Sequence, residues 1–233
     1  MVDEVLPRDL YDALVAAIPP RVLFEDRPIN KQQVNVPPRF APEYSRRVWQ
    51  FVCSDLIQRS LVDVGVDKFR EPLTSYVQRY WPDLDASSPE LALAASEGRI
   101  VLRRAGYAIP PHRDPRWGFI TFILYLARPG DPDTWGTQLY RVADDTEAPS
   151  AQPFWMNDQP RELAADVRFT PSRAVVFLNS AGCHGASIPP DAPADFERYI
   201  YQWLVGPSPR VVPALLERLH PDLRTLWEGK ERY

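Results

Sequence analysis

Phe119-Ile120-Thr121-Phe122-Ile123-Leu124-Tyr125-Leu126 is the stretch on which the fold turns. It is rich in β-branched and aromatic residues, which predicts a buried strand. Similar segments stand on both sides of it. Ile100-Val101-Leu102-Arg103-Arg104 lies upstream; Thr137-Gln138-Leu139-Tyr140-Arg141-Val142, Ala174-Val175-Val176-Phe177-Leu178 and Arg198-Tyr199-Ile200-Tyr201-Gln202-Trp203-Leu204-Val205 follow, with turn residues between. Further upstream the texture is helical. Tyr11, Leu14, Val15 and Ile18 recur at helical spacing and stop at Pro19-Pro20; Pro42-Glu43 opens a second helix to about residue 60; a third covers 69–80 and ends at Pro82. Residues 21–41 have no periodicity but hold Pro28, Pro37 and Pro38, which predicts a long loop. Helical spacing returns over 211–229 with Val212, Leu215, Leu216, Leu219, Leu223 and Leu226. Helices first and short strands afterwards predict an antiparallel β core packed by helices.

Composition is consistent with one such unit. The chain has 233 residues, 45% hydrophobic and 25% charged, which excludes wholesale disorder and predicts a single domain with a sizeable core. No run approaches the ~18 apolar residues of a membrane span. Met1-Val2-Asp3-Glu4 is acidic and has no apolar core, which predicts no signal peptide. A net charge of −4 without a basic run predicts neither general nucleic-acid binding nor membrane association. The two cysteines, Cys53 and Cys183, make no disulfide framework, so a reduced, cytoplasmic setting is expected, with Cys53 in the core. The 26 prolines are spread along the chain and predict a loop-rich fold.

The chemistry concentrates on two of the three histidines, His112 and His184; the third, His220, sits at a helix end. His112-Arg113-Asp114 places an imidazole and a carboxylate two residues apart, on one face of an extended backbone. His184 follows a separate apolar strand, in Gly182-Cys183-His184-Gly185, and supplies a second imidazole. Two imidazoles and one carboxylate cap one face of an octahedral Fe(II) and leave three positions open. Arg198 opens the last strong strand, and its planar fork suits a carboxylate.

With these residues in place, the stretch from about 100 to 205 resembles the 2-oxoglutarate- and Fe(II)-dependent dioxygenases, in their prolyl-4-hydroxylase-like branch. The matching elements are His112-Arg113-Asp114, Arg116, Thr121, Ile123-Leu124-Tyr125-Leu126, Gly136-Thr137-Gln138-Leu139, 171–177, His184-Gly185, and Arg198-Tyr199 with Trp203. The resemblance implies a mainly β chain with helical flanks: a double-stranded β-helix (jelly-roll) core over 99–206, a helical N-terminal region over 1–98 and a C-terminal helical extension over 207–233. It implies Fe(II) ligation by His112, Asp114 and His184, and 2-oxoglutarate held by Arg198, with Tyr125 bonding the same carboxylate. O2 is then the oxidant and ascorbate an optional activator. It also implies a hydroxylase that converts 2-oxoglutarate to succinate and CO2. The substrate is expected to be a small molecule or an amino-acid-type compound, with a peptidyl residue as the alternative.

Other readings are weaker. Cupin-type enzymes usually take three or four histidines, often as His-x-His, which this chain lacks. A non-catalytic β-sandwich module would need the histidines and Arg198 to coincide by chance. Nucleic-acid demethylases of the family carry a second Arg six residues after the first, where this chain has Leu204, and halogenases lack the carboxylate that Asp114 provides. Among neighbouring residues, Cys183 is expected in the core, His220 at the surface and Arg113 in solvent. Arg116 is expected either to contact substrate or to form a structural ion pair. Residues alone would place Tyr125 in the core. Recognition is expected from loops at the mouth: 21–41, 128–136, and 143–170 with Phe154, Trp155, Met156, Asn157 and Asp158.

Overall fold

A computed structural model describes residues 1–142, 153–156 and 158–227. Helix α1 (Arg8–Ala16) follows Pro7 and buries Tyr11 and Leu14, two of the residues whose spacing predicts it. The Tyr11 hydroxyl donates to the Ala127 carbonyl at 2.7 Å, tying the helix to the β core.

Residues 21–41 differ from the expected loop. A short 3₁₀ turn, Arg21–Leu23, leads into a hairpin of β1 (Glu25–Arg27) and β2 (Lys31–Asn35), turned through Ile29 and Asn30 at positive φ. β2 consists of Lys-Gln-Gln-Val-Asn, so it shows no apolar alternation. Main-chain pairing with β1 and with the core strand Arg99–Arg104, not side-chain pattern, makes it a strand.

Helix α2 (Glu43–Phe51) runs directly into a π-helical stretch, Val52–Leu61, and then α3 (Val62–Lys68), so the second helical region extends past residue 60. Helix α4 (Arg70–Gln78) and β3 (Leu93–Ala95) precede the core. The expected helical region 1–98 thus contains three short strands.

The core strands are β4 (Arg99–Arg104), β5 (Ala108–Arg113), β6 (Ile120–Tyr125), β7 (Thr137–Val142), β8 (Phe154–Trp155), β9 (Arg161–Val167), β10 (Ala174–Leu178), β11 (Cys183–Ser187) and β12 (Glu197–Pro207). They form two antiparallel sheets. One runs β1-β2-β4-β12-β6-β10, with β3 also on β12; the other runs β8-β5-β11-β7-β9. The chain crosses repeatedly between the sheets: β4, β6, β10 and β12 lie in the first, and β5, β7, β9 and β11 in the second. That alternation is the double-stranded β-helix, or jelly roll. β9 falls within the connection expected over 143–170. Its burial pattern is exposed at every position but Val167, so no apolar period announces it.

Every residue of β6 is buried, because helices cover one face of its sheet and the second sheet covers the other. β12 shows how the two faces divide. Tyr199, Tyr201 and Trp203 join the helical layer with Trp49, Trp81 and Phe122, whereas Ile200 packs between the sheets with Val101, Ile123 and Val175. Helices α5 (Val212–Arg218) and α6 (Pro221–Trp227) complete the helical layer, with Trp227 fully buried against Tyr80, Trp81 and Trp117.

Close backbone contact fixes one glycine. A Cβ on Gly206 would lie 1.8 Å from the Trp117 carbonyl oxygen. Backbone cannot give way as a side-chain tip can. Gly206→Ala is expected to destabilise the chain by about 1–3 kcal/mol, measured as a lowered denaturation midpoint. An unchanged midpoint would contradict the contact.

Candidate active site

The site forms where β5 and β11 pair. His112 and His184 are register partners across these strands, which places both imidazoles on the same face. Their ring centroids are 4.3 Å apart. Asp114 follows one residue after β5 ends and still projects to the side of His112. His112 Nε2 lies 3.7 Å from Asp114 Oδ1, and His184 Nε2 lies 3.7 Å from Asp114 Oδ2. One ligand atom from each residue lies within 4.8 Å of the others, and all three residues are buried.

Neighbours orient this set. His112 Nδ1 is 2.9 Å from the Pro110 carbonyl, so that nitrogen carries the proton and Nε2 presents its lone pair. The Thr121 hydroxyl donates to Asp114 Oδ2 at 2.7 Å, and the Asn179 amide donates to the Thr121 oxygen at 2.8 Å. Burial alone would raise the Asp114 carboxyl, but the facing His184 and His112 rings and the Thr121 hydroxyl outweigh it and hold it well below the usual carboxylate range. Burial pushes His184 down to about 3, with His112 and Arg103 adding to the shift against the pull of Asp114. His184 is therefore a neutral imidazole near pH 7, the form that ligates metals.

Arg198 is 1% exposed, with its guanidinium 4.0 Å over the Phe169 ring. Nη2 donates to the Pro132 and Thr134 carbonyls, while Nε and Nη1 have no partner. Burial, reinforced by Arg103, lowers its pKa to about 9. The Tyr125 hydroxyl accepts the Thr137 amide at 2.8 Å, which leaves its own proton free to donate. Burial raises the Tyr125 pKa.

A cavity of about 510 Å³ opens in front of His112 and Asp114, walled by β2, the start of β4, Gln202 of β12 and Trp155 of β8. The Trp155 ring stands 5.0 Å from His112 and is half exposed. Of the expected mouth loops, 21–41 contributes through β2, and 143–170 contributes through Pro153 and Trp155. Asn157 and residues 143–152 lie outside the described residues, and Asp158 is exposed. Phe154 is half-buried, Met156 is buried, and Trp135 packs edge-on against Phe196.

Cys183 is buried and His220 is exposed, both as expected. Arg113 differs: it is buried, and its Nε donates to the Gly182 carbonyl at 2.8 Å, bracing β5 against the turn before β11. Arg116 lies in the helical layer, donating to the Tyr80 hydroxyl at 2.8 Å with its guanidinium 5.2 Å over Trp227. Sequence reasoning did not identify the support that Asn179 gives through Thr121, nor the cations Lys31 and Arg99 on the cavity wall with Arg103 in register beside Lys31. The sequence signal for Arg103 was present: charged residues inside a strand-like run.

No family model matches the chain, and no curated protein matches it. Solved structures do. The chain is similar to a prolyl-4-hydroxylase from Pseudomonas putida, 17% identical, covering 89% of this chain and 91% of that one at a TM-score of 0.44. It is similar to HygX from Streptomyces hygroscopicus, solved with nickel, 2-oxoglutarate and hygromycin B: 14% identical, covering 89% and 82%, at 0.48. It is also similar to SnoK, an α-ketoglutarate-dependent carbocyclase from nogalamycin biosynthesis: 17% identical, covering 98% and 88%, at 0.45. Among the described residues no helix is long and apolar enough to cross a membrane.

Proposed function

We propose that the chain is an Fe(II)- and 2-oxoglutarate-dependent dioxygenase that hydroxylates an unactivated C–H bond of a small molecule or amino-acid-type substrate. The observation that carries this reading is the buried convergence of His112, Asp114 and His184. A second feature is a buried guanidinium with two N–H groups unmet, in Arg198. Both features fit the absent groups: a two-imidazole, one-carboxylate set suits Fe(II), and the unmet donors suit a carboxylate.

His112 Nε2, His184 Nε2 and an Asp114 oxygen would hold the metal. Thr121 fixes the carboxylate rotamer, and Pro110 fixes the His112 tautomer. Arg198 and the Tyr125 proton would grip the far carboxylate of 2-oxoglutarate, which orients its 2-oxo acid end toward the metal site. Iron held there would supply the oxygen activation that couples substrate hydroxylation to conversion of 2-oxoglutarate into succinate and CO2. Trp155 flanks His112 on one side of the cavity. A cupin-type centre is disfavoured, because the third histidine, His220, is exposed on the far helical segment.

Calorimetry of the full chain tests this reading. One Mn(II) or Fe(II) per chain is expected, with 2-oxoglutarate binding to the metal-loaded form, and succinate appearing once iron and O2 are supplied. A chain that takes up neither metal nor 2-oxoglutarate would refute it. Tyr125→Phe is expected to weaken 2-oxoglutarate binding by about 0.5–1.5 kcal/mol, the value of one neutral hydrogen bond, in the same titration.

A further inference from the structure

Cations line up across three strands on the inner face of the larger sheet. Lys31 of β2 is the register partner of Arg103 on β4, and Arg103 is the register partner of Arg198 on β12. Arg99 lies four residues before Arg103, on the same face of β4. Arg103 is 6% exposed, and its Nε and Nη1 have no hydrogen-bond partner; its guanidinium stacks 5.0 Å over Tyr107. Like charges in adjacent cross-strand positions repel, and burying them unpaired is costly. Burial lowers the Lys31 pKa to about 8, and Arg99 is the strongest of the charged groups adding to that shift, ahead of Arg103 and Arg27.

The proposed oxygenase chemistry leaves this charge unanswered. A metal dication and a 2-oxoglutarate dianion offset one another, and Asp114 offsets Arg198. Arg27 also lines the cavity but is paired with Glu25 at 2.7 Å; Arg103, Lys31 and Arg99 remain, and the other carboxylate on the cavity wall, Glu97, is exposed. Lys31 and Arg99 both line the cavity in front of His112, together with the amides of Gln33 and Gln202 and with Trp155 and Ile109 as apolar wall.

We propose that the substrate carries an anionic group, a carboxylate or a phosphoryl group, on a compact apolar body, and that Lys31 and Arg99 hold that group with Arg103 behind them. This rests on the oxygenase reading for the position of the reacting end. The charge argument stands on the cavity itself.

The test titrates benzoate, phenyl phosphate and benzamide into the full chain carrying Mn(II) and 2-oxoglutarate, read by tryptophan fluorescence and calorimetry. At least one anion binds saturably, and benzamide, of similar shape but neutral, binds about ten-fold or more weakly. The tighter of the two anions identifies the group. Lys31→Gln and Arg99→Gln each weaken the anion by about ten-fold or more and leave 2-oxoglutarate affinity within about two-fold. Absence of saturable anion binding, equal affinity for benzamide, or wild-type anion affinity in both variants overturns the proposal. If the wild-type chain binds no metal or 2-oxoglutarate yet keeps an anion preference that Lys31→Gln removes, the oxygenase reading fails and this one survives.

Discussion

His184→Ala is expected to yield a folded chain that no longer retains Fe(II). Disturbing a residue that only orients a metal ligand typically costs about 10–100-fold in affinity, so removal of a ligand from a three-residue set exceeds that range. His112→Ala and Asp114→Ala should behave alike, because the three ligand atoms form one cluster and none has a neighbouring substitute among the described residues. The fold should survive. β11 remains paired with both β5 and β7, and the main hydrophobic cluster lies on the other side of the larger sheet, away from the ligands. Metal content after desalting, with the circular dichroism melt as the folding control, decides the matter. Full metal content in the His184→Ala chain would remove the assignment, and turnover should vanish with the metal.

Arg198→Ala is expected to weaken 2-oxoglutarate binding by about 2–5 kcal/mol, roughly 30- to 5,000-fold, the cost of truncating one side of a buried charge pair. Metal binding should persist, since Arg198 is not among the ligands. Arg198→Lys should not restore affinity, because an ammonium cannot present the planar pair of N–H groups left unmet on Nε and Nη1. Stability should change little. The buried guanidinium is only half satisfied in the free chain, so its removal relieves a desolvation cost while giving up the bonds to Pro132 and Thr134. Calorimetry with 2-oxoglutarate on the Mn(II)-loaded variant reads the effect directly; wild-type affinity would count against the role of Arg198.

The parts of the molecule that were legible in the sequence are those where burial writes a pattern. β6 is covered on both faces and reads as an unbroken apolar run, and β10 and β12 read nearly as well. His112, Asp114 and His184 were readable because imidazoles are scarce in this chain and the His-x-Asp spacing has a geometric meaning in extended backbone. β2 and β9 were not readable. Each is held by pairing along one sheet, and their side chains face the cavity or solvent, where no hydrophobic period is required. Arg113 misled for a related reason: a charged residue beside two buried ligands looks solvated until the Gly182 carbonyl that receives it is known. The cationic row across Lys31, Arg103 and Arg198 joins positions far apart in the chain, and only strand register brings them together.

The hairpin of β1 and β2 lies outside the jelly-roll strands, yet it furnishes Arg27, Lys31, Gln33 and Asn35 to the cavity and nothing to the His112, Asp114 and His184 cluster. It joins the sheet through main-chain bonds to β4, which are indifferent to side-chain identity. The cavity wall therefore draws in part on a piece of chain separate from the one that carries the His112, Asp114 and His184 cluster. Residues 25–35 form an exchangeable cassette: a hairpin of equal length and register, bearing different side chains at those four positions, would change the cavity wall and leave His112, Asp114 and His184 in place. The same separation offers an evolutionary route by which one β core acquires new ligands through changes confined to its border hairpin.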